Sequence, residues 1–497
     1  MNRRDFLKVF ALSGATLAVN TGTIAQVFAQ APPGTLTPQS RDPVAHLLSR
    51  ITFGATPDLL ETVRRTGVDA FIEQQLNPER IDESALDSLI ASDYPVLNLT
   101  NAQIFEDYRN NPGEVIRQLI AATLIRAIYA QRSLYEMMVH FWTDHFNIYI
   151  NKGPTFLLKV ADDRDVIRRH ALGRFHDLLR ASATSPAMLF YLDNVQSDSR
   201  YPNENYAREL LELHTLGVDG GYTEADVKAT AQVFTGWSLV PPRETGRLNA
   251  DAGEFIFRPV MHDRSAKTVL GIPITESGMG EGEQLIEILA THPSTARFVS
   301  KKLVRRFVAD DPPSALVDQV TNVFLETDGD IKAMLRTIFS SDAFWTAPPK
   351  FKRPIEYVVG LLRALDYQIE QGRGFQRGIG EALQAMGHVP FNWPAPDGYP
   401  DVATYWQHGL LTRWNLALAL MTESSIGQPN YDRIGALITS SDQRPLEAMA
   451  NYLLGRPLTD EEYALVSDFA DSVSGDERGR LLSATVLLLS SPAYQYR

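Results

Sequence analysis

Two stretches of this chain place acids and imidazoles at helical spacing. In LYEMMVHFWTDHFNIY (134–149), Glu136, His140 and Asp144 recur every four residues. At 100° per residue, i, i+4 and i+8 return within about 80°, so these three line one helix face. Leu134, Met137, Met138, Phe141 and Trp142 lie on the other side, and His145 falls among them. In PNENYARELLELHTLG (202–217), Asn205, Glu209 and Glu212 share a face with Arg208 beside them, while His214 sits with Leu210 and Leu213. Each helix therefore carries an acidic stripe and one histidine on its apolar side.

Two arrangements fit that pattern. In one, the stripes meet in a cleft and a divalent metal such as Zn, Fe or Mn is held by His140, His145, His214 and Glu209, a common use of facing helices. Glu209, Glu212, Asp144 and His262 would then do acid–base work on a metal-polarised water. In the other, His145 and His214 are core histidines, and the acids face water or pair with Arg208 and Arg132. Asp193, Asn194, Asn203, Glu204, Asn205, Arg208, Trp237 and Asp263 are the expected supporting residues, several on loops where chemistry is often carried. His292 precedes Pro293 as a helix cap. His46, His388 and His408 read as isolated.

The elements needed to position these groups are overwhelmingly helical. Apolar residues recur at three and four over 114–130, 131–149, 162–180, 203–216, 223–235, 281–290, 293–308, 312–326, 330–340, 352–367, 376–386 and 402–422. The C-terminal part adds helices near 430–440, 445–454, 459–473 and 478–490, and Thr56-Pro57 caps one near 56–65. Strand signal is confined to a short excursion near 254–258. HVPFNWPAPDGYP (388–400), with four prolines, predicts an ordered loop or flap. The expected class is all-α, a large multi-helix body over 42–497 with lobes 42–240 and 263–497.

The first residues, MNRRDFLKVFALSG, carry Arg3-Arg4 ahead of an apolar stretch and a small-residue processing pattern around Val27 and Ala29. That is a twin-arginine signal peptide over 1–29, followed by a Pro/Gly linker over 30–41. It predicts export to the periplasm or beyond, through the twin-arginine machinery, with no membrane span in the processed chain. The absence of cysteine excludes disulfides, thiolate ligands, Fe–S clusters and c-type haem. The formal charge of -13 opposes nucleic-acid binding, and removing a signal of net +2 leaves about -15.

FWTDHF, SPAMLFYLDN, PNENYARELLELHTLG, YTEADVKATAQVFTGW, HDRSAKTVLG, HPSTARFVSKKLVRRFV and KRPIEYVVGLLRAL together resemble the bacterial DUF1800 family, over roughly 42 to 425 or beyond. The resemblance implies an exported helical protein of uncharacterised function, associated with a second exported family, DUF1501. It marks His140, His145, Asn194, Asn203, Glu204, Asn205, Tyr206, Arg208, Glu209, Glu212, His214, Gly236, Trp237, His262 and Asp263 as signature positions. The family motif often has Asn where this chain has Asp144. Three readings stay open: a metal-assisted hydrolase or redox metalloenzyme acting on an envelope or polymeric substrate, a metal-free glycoside hydrolase, and a non-enzymatic binding or assembly protein whose polar network is structural.

Overall fold

The computed structural model describes residues 19–369, 373–422, 426–439, 443–473 and 476–497. It is built almost wholly from helices, with only short antiparallel strand pairs between them. The Arg3-Arg4 motif and nearly all of the apolar stretch after it lie outside the described residues. No helix among those described is long and apolar enough to cross a membrane.

Local signals place many of the helix ends. Thr56 accepts from the Leu59 N–H ahead of Pro57–Thr66, and Asp42 accepts from Val44 and Ala45 ahead of Pro43–Ile51. Thr223 and Asp226 close a reciprocal cap on Glu224–Val233, and the His292 ring accepts from Ser294 N–H at 3.1 Å. Apolar residues of both expected lobes join one contiguous core, running from Leu47 through Trp142 and Val304 to Leu489. The expected excursion is a strand pair, Trp237–Leu239 against Phe255–Phe257.

Two expected helices are interrupted. The 162–180 helix is a π-helical turn, Asp162–Arg168, then a break before Phe175–Ala183. At the break, Phe175 N–H donates to Gly329 O at 2.9 Å and Ile331 N–H to Gly173 O at 3.1 Å. That pairing, with a glycine that weakens the helix by about 1 kcal/mol, outweighs the periodicity. The 402–422 helix divides into Ala403–Trp406 and Leu410–Thr422, on either side of Gly409 at φ 86°.

The 388–400 segment is an ordered flap. Phe391 O accepts from Ile150 N–H at 3.0 Å, Asn147 Nδ2 donates to Trp393 O at 3.0 Å and Ala395 O at 2.6 Å, and Tyr191 OH donates to Pro394 O at 2.8 Å. Gly398 has φ 73°, and a Cβ there would run into the Asp144 carbonyl, so the flap lies directly on the end of Ser133–His145. The chain over 21–41 is also ordered. Thr21–Gln30 is a helix with Ile24 buried and the Phe28 ring 5.8 Å from Trp414. Leu36 N–H donates to Glu462 at 2.8 Å and its carbonyl accepts from Ala493 at 2.7 Å.

Candidate functional site

The Glu136–His140–Asp144 stripe does not face open water. Glu136 is buried and receives both guanidinium nitrogens of Arg168, at 2.9 and 3.1 Å, while Arg168 Nε reaches Asp163 at 2.9 Å. Arg168 comes from the π-helical turn, whose widened backbone delivers it to this face. Asp144 takes a 2.7 Å hydrogen bond from Arg353. Burial favours protonation of Asp144, but His140, Arg353 and His388 outweigh it and hold the carboxyl well below the usual range.

His140 sits between these charges. Its Nδ1 is 3.3 Å from Asp144 Oδ2 and 3.3 Å from the Arg353 guanidinium. Its Nε2 has no protein partner among the described residues, nor does it belong to the sealed polar atoms. Across a cavity of about 20 Å³, the room of one water, stands His388. His388 is fully buried, stacked 4.9 Å from Trp406 and 5.6 Å from the His140 ring, and neither of its ring nitrogens has a partner. Buried polar groups are nearly always hydrogen-bonded, so a doubly orphaned imidazole is an exception that needs a reason.

His145 is buried as expected, with both nitrogens engaged. Nε2 faces the His214 carbonyl at 3.1 Å and must carry the proton; Nδ1 accepts from Lys302 at 2.9 Å. Burial, then Lys302, pushes the ring far down, and burial brings Lys302 to about 8. His214 is lowered to about 3, by burial first. Glu209 is half-buried and raised, by burial and then by Glu212, which accepts from Tyr222 OH at 3.0 Å. Arg208 is clamped by Glu224 at 2.7 and 2.8 Å, with Glu204 at 3.8 Å.

The supporting residues hold loops. Asp193, at φ 63°, pairs with Lys152 at 2.8 Å. Asn194 Nδ2 ties the carbonyls of Phe234 and Trp237, at 3.1 and 3.0 Å. Asn203 caps Glu204–Glu209, and Asn205 Nδ2 reaches Leu192 O at 3.3 Å. Trp237 is buried against Phe234 and Phe255. His262 spans the Thr235 carbonyl at 2.9 Å and Glu281 at 3.0 Å, and Asp263 N–H bonds Thr235 Oγ1 at 2.9 Å.

Among the described residues no three His, Asp or Glu side chains converge well enough to ligate one ion. The expected quartet His140, His145, His214 and Glu209 is therefore not assembled, because an ammonium and a carbonyl already occupy His145. The expected catalytic four do not form one group: Asp144 stands with His140, Glu209 stands with Glu212, and His262 belongs to a loop tie. Two residues at the site were not among those expected: His388, which lines the chamber, and Arg353, which bonds Asp144 and His140 Nδ1, although Arg353 lies in the KRPIEY word.

The neutral buried histidines set an acid limit on stability. His46 is lowered to about 4, by burial and then Arg50, joining His145, His214 and His388. Their folded values lie below the unfolded value of about 6.5, so the stability they confer is complete above it and falls as pH drops. The unfolding midpoint is therefore expected to fall between pH 7.5 and 5, measured by thermal melts; a flat midpoint would contradict this.

A family model described as protein of unknown function, DUF1800, matches residues 46–496. No curated protein and no solved structure matches the chain.

Proposed function

The chain belongs to the DUF1800 family of proteins of unknown function, and from that premise we propose that it is an exported, acid–base hydrolase centred on His140. One observation carries the reading: His388, sealed in the core with both nitrogens unpaired, faces a histidine whose Nε2 is also free. Asp144 orients the His140 ring through Nδ1, leaving Nε2 to take a proton from a water in the chamber. The water oxygen then adds to an electrophilic carbon or phosphorus. Arg353 offsets the charge that develops, His388 helps hold the water, and the His140 imidazolium gives the proton it took to the leaving group, which restores the neutral ring. The donor set, two imidazoles and one carboxylate already bonded to Arg353, supports acid–base work over metal ligation.

With the flap closed the cavity admits about one water. A substrate enters only if the 388–400 flap lifts, which means releasing its hydrogen bonds to Asn147, Ile150 and Tyr191. The twin-arginine signal read in the sequence supports a reaction outside the cytoplasm, and the proposed substrate is an envelope or polymeric one, with a DUF1501-family protein as the proposed partner.

A second reading has its own support. The pairing of Glu136 with Arg168, Glu356 with three arginines and His262 with Glu281 is what a structural network needs. His388→Phe separates the two. It keeps the stacked ring and removes two orphaned nitrogens, so stability should hold or rise by about 1–2 kcal/mol. Purified protein would be assayed on ester, amide, phosphoester and glycoside probes. Hydrolysis by the wild type that is lost in His388→Phe, with its melt unchanged, supports the enzyme. No hydrolysis of any probe, or full activity in the variant, would favour the network.

A further inference from the structure

A second pocket, sharing only Phe53 with the His140 chamber, is lined by Arg41, Lys352, Arg497 and Tyr494. Its charges do not balance. Arg41 donates to the carbonyls of Leu454 and Tyr496, at 3.2 and 2.6 Å, and not to a carboxylate. Neighbouring Arg413 likewise donates to Gln495 Oε1 at 3.0 Å and Lys352 O at 2.8 Å. Glu356 is already shared by Arg306, Arg353 and Arg497. Asp42 accepts from the Val44 and Ala45 N–H groups through Oδ1 at 3.0 Å, and its Oδ2 lies 4.0 Å from Arg64. The Lys352 ammonium lies 3.5 Å over the Tyr494 ring and has no hydrogen-bond acceptor among the described residues. The Tyr494 hydroxyl also lacks a partner there.

An uncompensated cation out of bulk water costs several kcal/mol. Burial, with Arg41 and Arg413, drives the Lys352 amine far below its ordinary range. An anion would reverse that cost. The cavity, about 60 Å³, takes a small one. We propose that this pocket binds a small oxyanion, a carboxylate or a phosphate, between the Lys352 amine, protonated as the anion arrives, the Tyr494 hydroxyl and the Arg41 guanidinium.

The test is calorimetric titration of the full chain with inorganic phosphate and, separately, with propionate, at constant ionic strength. Binding of either is expected, with the stronger one identifying the source. The heat should vary with the buffer's ionisation enthalpy, because Lys352 takes up a proton as the anion arrives. Lys352→Met should weaken binding about 10- to 100-fold, the loss of a charge-assisted hydrogen bond. Its melting temperature in anion-free buffer should hold or rise, since a buried amine without a hydrogen-bond acceptor is gone. Neither anion binding the wild type at millimolar concentration, or equal binding by Lys352→Met, would overturn the proposal.

Discussion

His140→Asn is expected to lower turnover by about 10²- to 10⁴-fold, the usual contribution of a positioned general base. The choice of asparagine matters. Its amide can take over the place of Nδ1, which lies 3.3 Å from both Asp144 and Arg353, whereas nothing replaces Nε2. The structural contacts thus survive in outline while the proton acceptor is lost. The unfolding free energy should change by no more than about 1 kcal/mol, the size of one net hydrogen bond. Steady-state kinetics on the best probe, with urea unfolding alongside, reads both quantities. Full turnover in the variant would remove His140 from the reaction.

Glu356→Ala is expected to cost about 3–5 kcal/mol of stability, the penalty for breaking a buried ion pair from one side. Its carboxylate is the common anion of Arg306, Arg353 and Arg497, and all four side chains are at most 3 % exposed. Asp401 partly serves Arg306, at 3.7 Å, and Asp144 serves Arg353, but Arg497 keeps no other side-chain carboxylate among the described residues. The three arginines hold the carboxyl well below its ordinary range despite burial. Its contribution is thus complete above the unfolded value of about 4.3 and is lost only in stronger acid. Urea unfolding at neutral pH measures the cost. Because Arg353 also holds Asp144, activity should fall with stability in this variant, unlike in His140→Asn.

The helices were largely legible because 3.6-residue periodicity and caps such as Thr56-Pro57 and Thr223 are local. Short elements escaped notice. Val68–Leu76, Ser84–Asp93, Asn101–Tyr108 and Pro186–Tyr191 span two or three turns, too few for a pattern to stand out. The break at Gly173 was hidden because its cause, the backbone of 329–331, is remote in sequence.

The site was half legible for the same reason. Four-residue spacing brought His140 and Asp144 together, and the burial of His145 and His214 followed from their apolar neighbours. The counter-charges could not be seen. Arg168 reaches Glu136 from 32 residues away, Lys302 reaches His145 from 157, and Arg353 reaches Asp144 from 209. His388 looked isolated because a proline-rich flap has no periodicity to place its side chains. The Glu136 and Asp144 carboxylates are neutralised by those distant arginines, which leaves the His140 edge of that stripe free, whereas Glu209 and Glu212 have each other and Tyr222 for neighbours.

The most direct measurement is an atomic-resolution crystal structure of the chamber between His140 and His388. An ordered solvent molecule within about 3 Å of His140 Nε2 and of a His388 nitrogen is the expected result, since each orphan then gains a partner. Two imidazoles packed dry against each other, with no density between them, would contradict the account and leave a core of unpaired histidines.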